Sequence, residues 1–182
     1  MGTYLLWRQA TFRNYVSSNL ERLLYLLSGD TALVAELMSK LNKDGAYTVP
    51  DALLQKIQCE FAAYYCDDKR AEEVMGRVYK ELGYLCDPHT ASGWAAAEDY
   101  IAETGDNTAM VVLSTASPYK FPVAVLTAIG GDTSGTEFEQ MERLSAISGV
   151  PVPKNLAGLQ GKEEKHTGVI EKDAMLEYVL NL

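Results

Sequence analysis

Histidine and cysteine are scarce in this 182-residue chain, and their spacing argues against most metal and nucleophile chemistry. The two histidines, His89 and His166, stand far apart, and neither belongs to a metal-ligand spacing. The three cysteines, Cys59, Cys66 and Cys86, form no CxxC pair, so neither a zinc site nor a disulfide framework is indicated. Each cysteine is interpreted as a small buried hydrophobic residue in a reducing compartment. We therefore predict no metal site and no catalytic triad.

Clustered positive charge and long apolar runs are also missing. The chain carries 16 Lys and Arg against 25 Asp and Glu, a formal net charge of −9. Nucleic-acid modules usually present a basic patch, which this composition does not offer. No run approaches the roughly 18 apolar residues that a membrane helix needs, and no targeting pattern opens the chain. We expect no nucleic-acid partner, no membrane partner and a cytoplasmic location.

What the sequence does contain is the composition of an ordinary globular α/β domain. Hydrophobic residues make up 47% of the chain and charged residues 23%, which suffices for one compact core. Apolar residues recur at helical spacing, with capping residues before and glycines after them, and predict helices starting near residues 18, 31, 51, 68, 91, 123, 137 and 174. Short strands are predicted at 46–49, 84–86, 109–113 and 167–170. Residues 1–16 show no clear period.

The stretch from 109 to 122 is the most informative part of the chain. Residues 109–113 are all apolar, which is typical of a strand buried on both faces of a parallel sheet. Ser114, Thr115 and Ser117 follow at once. Because ligands of open α/β sheets bind beyond the carboxyl ends of the strands, these hydroxyls stand where a small molecule could receive hydrogen bonds. No dinucleotide, Walker or GxSxG motif accompanies them.

Four runs carry a resemblance to a known family. They are Ser-Ser-Asn-Leu-Glu-Arg-Leu-Leu-Tyr at 17–25, Gly-Tyr-Leu-Cys-Asp-Pro-His-Thr-Ala at 83–91, Leu-Ser-Thr-Ala-Ser-Pro-Tyr-Lys-Phe-Pro at 113–122, and Gly-Val-Pro-Val-Pro at 149–153 followed by 166–175. Together and in this order they resemble the C-terminal portion of threonine synthase. The likeness covers residues 17–182, while residues 1–16 form a divergent N-terminal segment.

The resemblance implies a fold and a reaction. Threonine synthases are pyridoxal 5'-phosphate (PLP) enzymes of fold-type II, so we expect a three-layer αβα fragment with many helices and a small, mostly parallel sheet. The family's reaction converts O-phosphohomoserine and water to threonine and phosphate, a carbon-oxygen lyase reaction in which PLP acts as the electron sink. The small-molecule substrate expected for the complete enzyme is therefore O-phosphohomoserine.

The resemblance also implies binding residues. Thr115, with Ser114 second, is expected beside the PLP ring, where a hydroxyl would hydrogen-bond the ring nitrogen and leave it largely unprotonated. Lys120 is expected to reach the substrate phosphate, and His89 to line the site. Each has a structural alternative: Thr115 as a helix-entry cap, Lys120 as a solvated surface lysine, and His89 as a residue that holds the Asp-Pro turn. Asn19 and Arg22 match a family motif, but a capping box and an ordinary helix surface explain them equally.

Two parts of the family's machinery are not found in this sequence. The lysine that forms the Schiff base with PLP and the glycine-rich loop that holds its phosphate precede the matched region in the family, and neither motif occurs here. We therefore predict that this chain alone is inactive and has no catalytic residue of its own. The alternative function is a non-catalytic interaction or regulatory module derived from the same fold. Self-association through exposed apolar surface is expected in either case.

Overall fold

The structure, a computed structural model, describes residues 4–6, 18–163, 165 and 167–181. His166 and nearly all of the predicted divergent segment lie outside these residues. The helices are α1 Ser18–Ser28, α2 Thr31–Asp44, α3 Asp51–Glu60, α4 Asp68–Leu82, α5 Pro88–Thr104, α6 Pro122–Ala128, α7 Glu137–Ser148, α8 Lys154–Ala157 and α9 Met175–Leu180. The strands are β1 Tyr4–Leu6 and β2 Phe61–Ala63, and single 3-10 turns span Pro118–Lys120 and Lys172–Ala174.

The expected helices are present, but the expected sheet is reduced to one pair of strands in the described ranges. Strands β1 and β2 pair in parallel, with Tyr4 opposite Phe61. The prediction of a buried strand at 109–113 is wrong, because these residues form no ladder and Val111 and Leu113 are 83% and 74% exposed. An apolar run becomes a buried strand only where neighbouring strands accept its backbone hydrogen bonds, and no described strand lies beside it.

The other short strands predicted from sequence are wrong for the same reason. Residues 46–49, 84–86 and 167–170 have no paired strand in the part of the chain that the structure describes. Val169, predicted to be strand core, is 95% exposed. The residues that do pair, at β2, directly follow α3 in the chain.

Helices α1, α2 and α3 form a small core of their own. Leu24, Val34, Leu37, Leu53 and Ile57 are buried together there. The Asp30 side chain caps α2 by accepting hydrogen bonds from the backbone N–H groups of Ala32 at 2.9 Å and Leu33 at 3.0 Å. Gly29 and Gly45 end α1 and α2 with positive φ, as the sequence predicts.

A larger core joins helices α4, α5, α6 and α7, and Tyr119 of the 109–122 stretch packs in it. Val78, Val125, Leu126 and Leu144 are fully buried in it. At Gly76 of α4 the backbone of α6 approaches so closely that a Cβ would lie 2.5 Å from the Ala128 carbonyl oxygen. Glycine is therefore required here by the close approach of two helices.

Ion pairs and a buried tyrosine fasten the edges of this core. Arg77 of α4 donates two hydrogen bonds to the carboxylate of Glu98 on α5, at 2.6 and 2.8 Å. Such a bidentate pair fixes the relative position of the two helices. Tyr119 is buried, and its hydroxyl donates to the Val150 carbonyl oxygen, which ties the 3-10 turn to the segment after α7.

The cysteines differ in environment. Cys66 and Cys86 are buried, as predicted, but Cys59 is exposed, so its assignment as a core residue is wrong. Position 59 faces away from the α3 stripe formed by Leu53 and Ile57, which explains its exposure. Burial raises the pKa of Cys86 to about 11, and the neighbouring Asp87 charge adds to this shift.

The last part of the described chain leaves apolar side chains uncovered. Leu176, Val179 and Leu180 of α9 are each more than half exposed. The helix predicted to start near residue 174 begins at Met175, after a 3-10 turn in which Asp173 makes no capping hydrogen bond. Among the described helices, none combines the length and the apolar character needed to cross a membrane.

Candidate functional site around the Asp-Pro-His-Thr turn

The start of α5 is built by the sequence Asp-Pro-His-Thr at 87–90. Asp87 is the N-cap, and Pro88 occupies the first helical position, where its missing N–H costs nothing. The helix start predicted near residue 91 is therefore wrong by three residues, since α5 begins at Pro88. Asp87 caps the helix because its extended backbone lets its carboxylate reach the free N–H of His89.

The Asp87 carboxylate is fully buried and receives several hydrogen bonds. One oxygen, Oδ1, accepts from the His89 backbone N–H at 2.9 Å and lies 3.0 Å from Nδ1 of the His89 ring. The other oxygen, Oδ2, accepts from the Thr90 hydroxyl. A buried carboxylate needs such partners, because its desolvation would otherwise cost several kcal/mol, on the order of 5.

Thr90 connects this buried carboxylate to the hydroxyl-bearing stretch after residue 113. Its Oγ1 lies 3.3 Å from the Ser114 Oγ, within hydrogen-bonding distance. Thr90 itself is buried, whereas Ser114 and Thr115 are exposed. The Thr115 hydroxyl makes no hydrogen bond to any described residue, so its donor is available to a ligand.

The stretch holding these hydroxyls lies directly against α5. A Cβ placed on Gly93 would come within 3.3 Å of a methyl group of Val112. Ala91, Ser92 and Ala95–Ala97 are buried nearby on the same helix. These small residues allow the close approach of the neighbouring segment. Close packing, rather than strand pairing, thus positions Ser114.

His89 joins the same group of residues, while Lys120 stands somewhat apart. The His89 ring lies 5.0 Å from the Phe121 ring, centroid to centroid. The exposed Lys120 ammonium makes no hydrogen bond or ion pair with a described residue, and the residue lines a cavity of about 170 Å³ with Phe138 and Leu159. Ser117, the third hydroxyl, caps the 3-10 turn by accepting from the Tyr119 N–H at 3.3 Å.

Sequence reasoning missed Asp87 and Thr90 as members of this group. Asp87 had been considered only as a neighbour of His89, and Thr90 only as a cap. The available signal was the sequence Asp-Pro-x-Thr, in which a threonine at the third helical position can return its hydroxyl to the N-cap carboxylate. Asn19 and Arg22 lie in α1, where the Arg22 guanidinium donates to the Asn19 side-chain oxygen, consistent with either interpretation.

A second, larger concavity does not join this site. It measures about 340 Å³ and is lined by charged residues of α4 and α5, among them Lys69, Glu73 and Glu98. Its two arginines are already bound to carboxylates, Arg70 to Asp99 and Arg77 to Glu98, each at 2.6 Å. Lys69, the remaining cation of this lining, lies 3.7 Å from Glu73, so each of the three cations has a carboxylate partner.

Comparison with known proteins identifies the class and the family. Residues 90–179 match the family described as "Threonine synthase, C-terminal". Over 158 residues the chain is 34% identical to threonine synthase of Pseudomonas aeruginosa, which covers 83% of this chain and 32% of that enzyme. The yeast threonine synthase structure superposes with a TM-score of 0.67 and 25% identity, covering 92% of this chain and 35% of that one.

The PLP-bound threonine synthase structure from Brucella melitensis is also similar. Its TM-score is 0.57 and its identity 37%, over 70% of this chain and 28% of that one. The fold is thus that of the fold-type II PLP enzymes. Within that class, residues 90–179 match the C-terminal region of the threonine synthase family. The matched regions cover between 28% and 35% of the lengths of these three relatives.

Proposed function

We propose that this chain serves as the ring-side part of a threonine synthase active site. In that role it contributes hydroxyl groups that orient PLP during conversion of O-phosphohomoserine and water to threonine and phosphate. The observation that carries the proposal is the Thr115 hydroxyl, which is exposed and has no hydrogen-bond partner among the described residues. It lies one residue beyond Ser114, in the run that carries the family resemblance.

The residues present fit the pyridine ring of PLP. A pyridine nitrogen that carries no proton is a hydrogen-bond acceptor, and a threonine hydroxyl supplies one donor. When bound, PLP would supply the electron-accepting ring that stabilises negative charge on the substrate. Thr115 would hold the ring nitrogen by donating to it, and a neutral donor would leave that nitrogen unprotonated, whereas a carboxylate would favour its protonation.

His89 and Lys120 are proposed as substrate-side residues. Contacts with Asp87 and Phe121 hold His89 close to the group that includes Ser114, which supports a position at the edge of the ring site. Lys120 is exposed and has no acidic partner among the described residues, so its ammonium is available there to a phosphate as a point charge. Neither residue is proposed to form a covalent bond.

By itself the chain is proposed to lack turnover, because a Schiff-base lysine in its family motif is not found in the sequence. The test is a titration of this chain with PLP, followed by absorbance and by protein NMR. Weak binding that shifts the resonances of Thr115, without a lysine-dependent absorption band and without phosphate release from O-phosphohomoserine, is the expected result. Turnover by the chain alone would refute its proposed inactivity.

The matched variants are Thr115→Val and Thr127→Val. Thr115→Val removes the hydroxyl at nearly constant volume and is expected to weaken PLP binding about five- to tenfold, the loss of one hydrogen bond. Thr127 lies on α6, where its hydroxyl donates to the Val123 carbonyl of the same helix at 2.8 Å, so its valine variant serves as the control. Equal affinities for all three proteins would contradict the ring-side role.

Self-association is proposed as a consequence of the uncovered apolar residues of α9. Leu176, Val179 and Leu180 are exposed on this short helix, and apolar side chains of this kind favour association. Sedimentation velocity at increasing protein concentration is expected to show species larger than a monomer. Leu176→Glu together with Leu180→Glu should reduce them, and a monomer at all concentrations would oppose the proposal.

A further inference from the structure

We propose that Asp87 is a positioning residue that sets the direction of the hydrogen bonds reaching Ser114, and thereby leaves Thr115, and not Ser114, as the hydroxyl of this adjacent pair that can donate to the PLP ring. The part of this inference that concerns PLP rests on the proposed function. The part that concerns the direction of the hydrogen bonds rests on the contacts among Asp87, Thr90 and Ser114.

The direction of the bonds follows from what each group can donate. A carboxylate oxygen accepts only, so the hydroxyl proton of Thr90 must point to Asp87 Oδ2. Thr90 has one hydroxyl proton, and with that proton engaged its oxygen can act only as an acceptor towards Ser114. The contact of 3.3 Å between the two hydroxyl oxygens is therefore a bond that Ser114 donates to Thr90.

Burial makes this arrangement strict. Asp87 is 0% and Thr90 2% exposed, so neither can exchange its partner for water at low cost. Asp87 Oδ1 is already occupied by the backbone N–H of His89, and His89 Nδ1 lies beside it. The carboxylate cannot rotate without losing these contacts. The proton of Ser114 is thus directed inward, and its oxygen offers only lone pairs to a ligand.

The consequence distinguishes two neighbouring hydroxyls that look equivalent in sequence. Ser114 can accept a hydrogen bond from a ligand but cannot donate one without breaking its bond to Thr90. Among the described residues, Thr115 has no such commitment. A pyridine nitrogen without a proton needs a donor, so of these two hydroxyls only that of Thr115 meets the need, while Ser114 suits a ligand group that donates.

Replacing Asp87 by asparagine should reverse the bonds without removing the cap. Asparagine is as good an N-cap as aspartate. Its carbonyl oxygen would stay with the His89 donors, which places its amide NH₂ beside Thr90. Thr90 would then accept from the amide and donate to Ser114, which frees the Ser114 proton for a ligand. Asp30→Asn at the N-cap of α2 is the matched control.

The first measurement needs no ligand. Neutron diffraction from crystals of the deuterated chain would locate the hydroxyl deuterons. In the wild type we expect the Thr90 deuteron to point to Asp87 and the Ser114 deuteron to point to Thr90. In Asp87→Asn we expect the Thr90 deuteron to point to Ser114. A wild-type Thr90 deuteron directed at Ser114 would overturn the proposal, whatever the chain does with PLP.

The second measurement uses PLP as the probe. In the wild-type background, Thr115→Val should weaken PLP binding about five- to tenfold. In Asp87→Asn the effect of Thr115→Val should shrink to about twofold, because Ser114 can now donate. Asp30→Asn should leave the full effect of Thr115→Val in place. An undiminished effect in Asp87→Asn would count against the inference.

Thr90→Val is a second, independent way to free the Ser114 hydroxyl proton. It removes the acceptor of Ser114 and leaves the Asp87 carboxylate in place, so the Ser114 proton becomes free and the Thr115→Val effect should again shrink. If the wild-type chain does not bind PLP at all, the proposed function is wrong. The neutron result on the direction of the bonds would still decide the role of Asp87.

Discussion

Substituting Gly76 with alanine should destabilise this chain, although the same change inside a helix usually stabilises. Gly76 lies in α4, and its helical backbone would gain roughly 0.5–1 kcal/mol from alanine if the space were free. The space is not free, because the new Cβ would stand 2.5 Å from the Ala128 carbonyl oxygen and 3.5 Å from its carbonyl carbon. The first of these distances is shorter than real Cβ contacts allow.

The magnitude follows from what must move. The obstacle is a backbone atom at the end of α6, so it cannot rotate away as a side chain would. Helices α4 and α6 would have to separate by about half an ångström, which loosens the fully buried Val125 and Leu126. Overpacking of this kind typically costs about 1–3 kcal/mol, so after the helical gain we expect a net loss of about 1–2 kcal/mol.

Gly93→Ala is the matched control and should behave differently. Gly93 lies inside α5, and its added Cβ would meet only a methyl group of Val112, at 3.3 Å, which can yield by rotation. Here the helical gain of roughly 0.5–1 kcal/mol should remain largely intact.

Urea unfolding followed by circular dichroism measures both changes through the transition midpoint at a constant m-value. By the usual scaling the Gly76 variant should melt about 2–8 °C lower than the wild type. A Gly76→Ala protein as stable as the Gly93→Ala protein would refute the assigned contact between α4 and α6.

Two further predictions concern titratable groups. Cys59 is exposed and should react with Ellman's reagent at once at pH 8, whereas Cys86, buried and with its pKa raised to about 11, should react only on the timescale of unfolding. Hydrogen bonds from Thr136 lower the pKa of Glu139 below its ordinary 4.5, so its contribution to stability is present above that pH and is lost as pH falls through the lowered value. Glu139→Gln should therefore have a lower melting temperature than the wild type at pH 7. This difference in melting temperature should narrow as the pH falls below 4.5 and vanish below the lowered pKa. A difference that persists at low pH would contradict the capping-box assignment.

Local chemistry explains which features could be predicted from the sequence alone. The helices were predictable because their signals are short-range: Asp30 and Asp67 cap the helices that follow them, and Gly83 leaves α4 in the left-handed conformation that glycine favours. The family resemblance was likewise contained in short runs, and the matched family confirms it. Such features depend on residues three or four positions apart.

Tertiary structure decided the rest. The apolar run at 109–113 has the composition of a buried strand, yet it pairs with no described strand and is largely exposed, because a strand depends on partners that composition does not specify. The link from Asp87 through Thr90 to Ser114 spans 24 residues between its last two members and exists only because α5 packs against the later segment. The residue types could be read from the sequence, but the contacts of the buried Asp87 carboxylate, on which the proposed direction of the hydroxyl bonds rests, form only when the chain folds.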